Sequence, residues 1–312
     1  MPRHFQNFAP FALAAFMAAS PAMAEPRSFE TPRTDGSAIY WTLDVPDSEG
    51  TSGLVVIAQG SGCAAAMQSP NLGLARSIFG NLAALTVEKY GVEPGDNPSD
   101  DHMDCSQVFR EHHTVSQRVA DYRQIIDSLR DAACWNGKLG LFGGSEGGIV
   151  MAMLAPEVRA DAAILISTGG GVPFGQMVRQ SIPEEGWPTV DATFERAREN
   201  PDSTEWWGGQ SLRFWADAID RRAADYMLRA DTNFLLIQGG RDGAGAANVA
   251  RAVGDLFANA GRCNLTYWEF PAFDHGMIDA NGNAHLAEVL SQASLWLDSR
   301  MAANATTTCT TQ

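Results

Sequence analysis

Basic charge is scarce in this sequence. Its 312 residues hold 22 Lys plus Arg against 37 Asp plus Glu, a net charge of −15. A surface that acidic repels phosphate backbones and anionic lipid headgroups, which argues against nucleic acid as a partner. Long apolar runs are scarce as well. The N-terminal one, 8–19, is shorter than the roughly 20 residues a membrane span needs, and no later run is longer and as apolar. Cysteine is limited to five, at 63, 105, 134, 263 and 309, and the spacings match no zinc pattern. No internal repeat is present, and no low-complexity stretch precedes the C-terminal tail. What remains, with 45% hydrophobic residues, is ordinary globular composition.

The N-terminus reads MPRHFQNFAPFALAAFMAASPAMA: Arg3 and His4, an apolar stretch, then Ala22-Met23-Ala24. That order is a secretory signal peptide, with cleavage expected after Ala24 and an exported product, periplasmic or secreted. An ordered N-terminal helix is the plainer alternative. Residues 25–300 are long enough for one large domain, and the polar tail 301–312, with ATTTCTTQ at its end, reads as disordered.

Along the mature chain, FETPRTDGSAIYWTLDVP reads as two strands turning at Asp35-Gly36. The apolar run at 54–58 and the run in LAALTVEKYGV suit strands buried on both faces. A polar loop follows to about His113. Thr114 and Gln117 form a T-x-x-Q capping box, and Val119, Tyr122, Ile126 and Leu129 give one apolar face of a helix ending near Ala133. KLGLFG is a strand, EGGIVMAMLA a helix stopped by Pro156, and DAAILIST and TNFLLIQGG are strands. A helix at 246–260, the strand NLTYWEF and a helix at 284–299 complete the order. Alternating strands and helices predict an α/β fold with a mostly parallel central sheet covered on both faces. The interval 171–230 breaks the alternation with two helical stretches and Trp187, Trp206, Trp207 and Trp215. It reads as a helical cap over one end of the sheet, or as ordinary packing helices whose tryptophans fill core.

The densest signal is KLGLFGGSEGGIVMAMLA. Gly143-Gly144-Ser145-Glu146-Gly147 fits G-x-S-x-G, in which a strained turn lifts a serine above the sheet. The strand before it and the helix after it supply the context the motif requires. The glycines fit because a β-carbon there would strike the neighbouring strand or helix. A dinucleotide loop is the rival reading, but that fingerprint has different spacing and opens the first βαβ unit. A serine needs a base to take its proton, and the base needs an acid to fix its tautomer. Asp242, after the strand TNFLLIQGG, and His275, after NLTYWEF, stand in the order Ser, acid, His. Loops after parallel strands emerge at one sheet edge, so the three can meet. Each alone has a bland reading: a turn aspartate, a structural histidine.

With these residues in place, the chain resembles the α/β-hydrolase-fold serine hydrolases, and GGSEGG is similar to the elbow of their esterase, dienelactone-hydrolase-like and prolyl-oligopeptidase-like branches. The resemblance covers nearly all of the mature chain. It implies Ser145 as nucleophile, His275 as general base and then acid, and Asp242 as the orienting carboxylate. Asp274 is next to His275 in sequence and is not expected to orient it. The resemblance also implies an oxyanion hole, with one backbone N–H from Glu146 and another from the loop Gln59-Gly60-Ser61-Gly62-Cys63, given by Ser61 or Gly62. Many relatives carry His-Gly where this chain has Gln59-Gly60, so no imidazole can act there. The chemistry requires no cofactor.

The implied fold sets Cys63 and Cys105 on loops at the active-site edge, where a disulfide would brace the oxyanion loop. Cys134 and Cys263 each precede a strand at the opposite edge, and either pair or stay as buried thiols. Cys309 is the natural odd one out. His102, His112 and His113 lie near Asp100, Asp101, Asp104 and Glu111, but the spacing fits no ligand pattern and acidic loops are commonly just solvated, so no metal is expected. NLT at Asn264 and NAT at Asn304 match glycosylation acceptors, though Asn264 opens what is expected to be a core strand. The function expected is an exported serine hydrolase acting on a small-molecule or peptide substrate, carboxylesterase-like. The alternatives are a peptidase for small peptides and a non-catalytic binding protein on the same fold.

Overall fold

The computed structural model describes residues 27–46, 51–243 and 247–302. Strand β1 (Arg27–Pro32) and strand β2 (Ala38–Asp44) form the expected hairpin, turning at Gly36 with φ 86. Then come β3 (Ser52–Ala58), α1 (Pro70–Ile78), β4 (Ala83–Val87), α2 (Gln107–His112), α3 (Val115–Ser128), β5 (Trp135–Gly144), α4 (Glu146–Val158) and β6 (Ala162–Ile166). The segment 171–230 holds α5 (Phe174–Gln180), α6 (Trp187–Glu199), the two-residue strands β7 (Trp206–Trp207) and β8 (Gln210–Ser211), α7 (Leu212–Ala218) and α8 (Ala223–Met227). The chain closes with β9 (Asn233–Gly239), α9 (Ala247–Asn259), β10 (Leu265–Phe270) and α10 (Leu286–Ala302).

Eight strands form the central sheet in the order β1-β2-β4-β3-β5-β6-β9-β10. β2 runs antiparallel to β1 and β4, and the strands from β4 through β10 are parallel. Every residue of β4 and β6 is buried, as strands covered on both faces require. One core lies between the sheet and α3, α4 and α6 to α9; the other lies beneath α1 and α10. Register places Ala58 beside Gly143 and Ile166 beside Ile237, so the ends of β3, β5, β6 and β9 share one rim.

Local chemistry explains the helices. The hydroxyl of Thr114 accepts from the Gln117 N–H at 3.1 Å and starts α3. The Gln117 side chain turns instead to Asp121, so the capping box closes on one side only. α4 is not stopped at Pro156: it runs on to Val158 and ends with Arg159 at φ 56. A proline in the last turn forfeits only one main-chain hydrogen bond. In 171–230 the indole of Trp215 donates to the Trp207 carbonyl at 2.8 Å, and both pack with Phe194 in the core shared with α3 and α4. Trp187 and Trp206 each lie under an arginine, Arg179 and Arg110.

A Cys63–Cys105 disulfide is present, with Cα atoms 5.6 Å apart. Cys134 and Cys263 do not pair with each other: Cys134 is a free thiol, whereas Cys263 is disulfide-bonded. The side chain of Asn264 donates to the carbonyls of Ala230 and Thr232. α10 extends into the first two residues of the expected tail. The signal peptide, Asn304, Cys309 and the rest of the tail lie outside the described residues. No helix among the described residues is long and apolar enough to cross a membrane.

Candidate active site

Ser145 sits where β5 becomes α4, at φ 52 and ψ −124, a backbone that L-residues rarely adopt. Its N–H is held by the Ile166 carbonyl at 2.9 Å, and its own carbonyl accepts from Gly148. The flanking glycines are a steric necessity. A β-carbon on Gly143 would lie 2.3 Å from the Gly147 carbonyl oxygen, and one on Gly147 would lie 2.6 Å from those of Ala58 and Gln59. The turn is therefore wedged between its own helix and the end of β3.

Asp242 follows β9 and is 5% exposed. Its Oδ2 accepts from the Gln238 amide at 2.7 Å and lies 2.9 Å from Nδ1 of His275. That hydrogen bond raises the His275 pKa above its ordinary 6.5, against the opposing effect of burial. Asp274 points elsewhere: its Oδ1 accepts from the N–H groups of Gly276 and Ile278 and closes the turn that carries the histidine.

Ser145 and His275 line one cavity of about 180 Å³. Its apolar wall is formed by Ala58, Leu72, Phe142, Ile166 and Leu286. From the loop after β3, Gly60 lines the cavity; a β-carbon on it would lie 3.7 Å from that of Ser145. Ser61 is exposed and Gly62 buried behind it. None of the four tryptophans at 187, 206, 207 and 215 lines this cavity.

Several residues at the site escaped the sequence reading. Ser167, at φ 53, donates its hydroxyl to the His275 carbonyl at 2.8 Å. Glu146, whose backbone follows the serine, has its carboxylate buried against Arg118 at 2.7 Å, with Gln210 at 3.2 Å and Nε2 of His113 at 3.4 Å. Burial pushes the Glu146 carboxyl up, but the His113 ring and the Arg118 and Lys89 charges outweigh it and bring it down to about 2. Lys89, one of only two lysines in the chain, is buried beside it. The signal for Arg118 was present: it occupies a position in the apolar stripe of α3, three residues after Val115 and four before Tyr122. The three histidines of the acidic loop have separate surroundings. His112 stacks on Tyr90, His113 lies between Phe109 and Phe214, and the His102 carbonyl accepts from the Trp206 indole. Among the described residues no three His, Cys, Asp or Glu side chains converge to hold a metal ion.

No protein-family model matches the chain, and no curated protein matches it in sequence. Solved structures do. Est1E from Butyrivibrio proteoclasticus is similar over 88% of this chain and 99% of its own, at 16% identity and TM-score 0.63. A puromycin-hydrolysing peptidase of Mycobacterium tuberculosis is similar over 93% of this chain and 41% of its own, at 16% identity and TM-score 0.64. A bacterial brefeldin A esterase, described as a homologue of human hormone-sensitive lipase, is similar over 93% and 81%, at 13% identity and TM-score 0.55. At such identities the likeness speaks for architecture. Together with the eight-stranded, mostly parallel sheet and the turn at Ser145, it shows that this chain has the α/β-hydrolase fold.

Proposed function

We propose that the protein is an exported serine hydrolase that cleaves esters of small acyl groups through an acyl-enzyme. The single observation carrying this reading is the 2.9 Å contact between His275 Nδ1 and Asp242, at a rim where the same imidazole and Ser145 border one cavity. Ser145 attacks the carbonyl carbon as His275 takes its proton at Nε2; Asp242 keeps the other nitrogen protonated and stabilises the imidazolium. The tetrahedral oxyanion is held by the N–H of Glu146 and that of Ser61 or Gly62. His275 then protonates the leaving alcohol, and water, activated by the same imidazole, releases the acid and restores Ser145. Export rests on the N-terminal sequence and accords with the disulfide.

Cavity size supports a small acyl group. An apolar cavity of about 150 Å³ accommodates benzene, so about 180 Å³ admits an acyl chain of about six carbons or one ring. A space of that size takes one short acyl group, which is the part of an ester substrate that the cavity would hold. p-Nitrophenyl esters of graded length test this. The specificity constant should be highest for acyl chains up to about six carbons and fall beyond that, and Ser145→Ala should abolish turnover. A preference for long chains, or faster cleavage of aminoacyl amides than of esters, would contradict the reading.

A further inference from the structure

The two expected oxyanion donors lie on separate segments, one at the start of α4 and one after β3. A single buried side chain touches both segments. Arg118, 2% exposed on α3, donates from Nη1 to the Glu146 carboxylate and from Nη2 to the Gln59 carbonyl, each at 2.7 Å. The far end of the loop is held in the same manner, by Lys89 Nζ donating to the Gly62 carbonyl.

A planar trans peptide points its C=O and N–H in opposite directions. The Gln59–Gly60 and Gly62–Cys63 peptides are thus pinned with their carbonyls on buried cations. The Cys63 N–H faces the other way and is taken by the Asp101 carbonyl at 2.9 Å, as that geometry requires. Between the two pinned units lie just the peptides that carry the N–H groups of Ser61 and Gly62. The cations grip both ends of the span expected to bind the oxyanion. They do so through charge-assisted hydrogen bonds, roughly twice as strong as neutral ones. Gln210, reaching in from β8, occupies the second oxygen of Glu146 and steadies the anchor.

We propose that Arg118 is a positioning residue that, with Lys89, fixes the spacing between the two halves of the oxyanion hole. The proposal rests on the hydrolase reading above. Its two acceptors sit on different segments, so the planar fork of arginine is needed; a lysine at 118 presents one point charge and cannot serve both in the same geometry. Loss of the bridge leaves substrate contacts in place and misplaces a donor by a fraction of an ångström to an ångström, which costs about 10²-fold in rate.

The experiment compares wild type, R118K, R118M and the double variant R118M/E146Q on p-nitrophenyl acetate, with inhibition by phenylboronic acid, whose tetrahedral serine adduct places an oxygen in the hole. E146Q removes the charge that R118M would strand, and R118K retains charge if R118M fails to fold. For folded R118M/E146Q the expected result is a kcat lower by about 10²-fold with KM little changed and boronate affinity reduced in parallel; R118K should fall in between. Wild-type kcat in the double variant, a loss confined to KM, or a fall in kcat with boronate affinity intact would each overturn the bridge alone. A wild type that neither turns over esters nor reacts with a fluorophosphonate would overturn the hydrolase reading, and the bridge's role with it.

Discussion

Asp242 keeps its carboxylate buried, while the His275 side chain it contacts remains partly exposed. Substitution by Asn would offer the imidazole an amide and stabilise the wrong tautomer, and Asp242→Asn should lower kcat by about 10⁴. The pH profile should shift as well. Hydrogen bonding to Asp242 raises the His275 pKa above 6.5, and only the neutral ring acts as base. The acid limb of the wild-type profile therefore lies above pH 6.5, and in Asp242→Asn it should move down. A limb that does not move would show that another group controls the rate. His113 makes a separate prediction about stability. Burial holds its pKa at about 4, despite the opposing pull of Glu146 and in concert with the Lys89 and Arg118 charges. The unfolded chain takes up a proton below about 6.5 that the folded chain refuses. The stability His113 provides is thus complete above pH 6.5 and is lost as pH falls toward 4. The Tm advantage of wild type over His113→Gln should shrink across that interval; a constant gap would mean the ring is not held neutral.

Among the elements, the loop after β3 is held at several points: two cations on its carbonyls, Asp101 on its N–H groups, and a disulfide to Cys105. The disulfide spans 42 residues, for which chain entropy gives about 4 kcal/mol of stabilisation. Cys63→Ala/Cys105→Ala should lose about that much in denaturant unfolding and should also lose kcat, since the released loop carries the N–H groups proposed for the oxyanion hole. Unchanged kcat would separate the disulfide from the site. The strands of the central sheet, and the turn at Ser145, were legible in the sequence because buried parallel strands read as continuous apolar runs and the elbow glycines answer a local clash; the two-residue β7 and β8 were not. α1, α2 and α5 were not, because they are short; α1 and α2 start on serine caps within loops, and α5 starts after Pro173 with no side-chain cap. The tryptophans of 171–230 were ambiguous, because aromatic composition does not reveal which face packs; Trp207 and Trp215 turn into the core. Lys89 and Ser167 stayed hidden because their partners are backbone carbonyls, which have no sequence signature; Arg118 shows only as a charge within the apolar stripe of α3, which does not name its partners.

For the molecule as a whole, the sheet order brings Ser145, Asp242 and His275 to one rim from positions about 130 residues apart, and the rest of the chain supports that meeting. The acidic surface, at −15, suits a neutral or cationic small substrate better than an anionic polymer. Reaction of the mature protein with a fluorophosphonate, with the modified residue mapped by mass spectrometry, tests the account most directly. The account predicts one adduct, on Ser145, that is absent in Ser145→Ala and forms far more slowly in His275→Ala. No adduct on the folded wild type, or one that persists in Ser145→Ala, would contradict it.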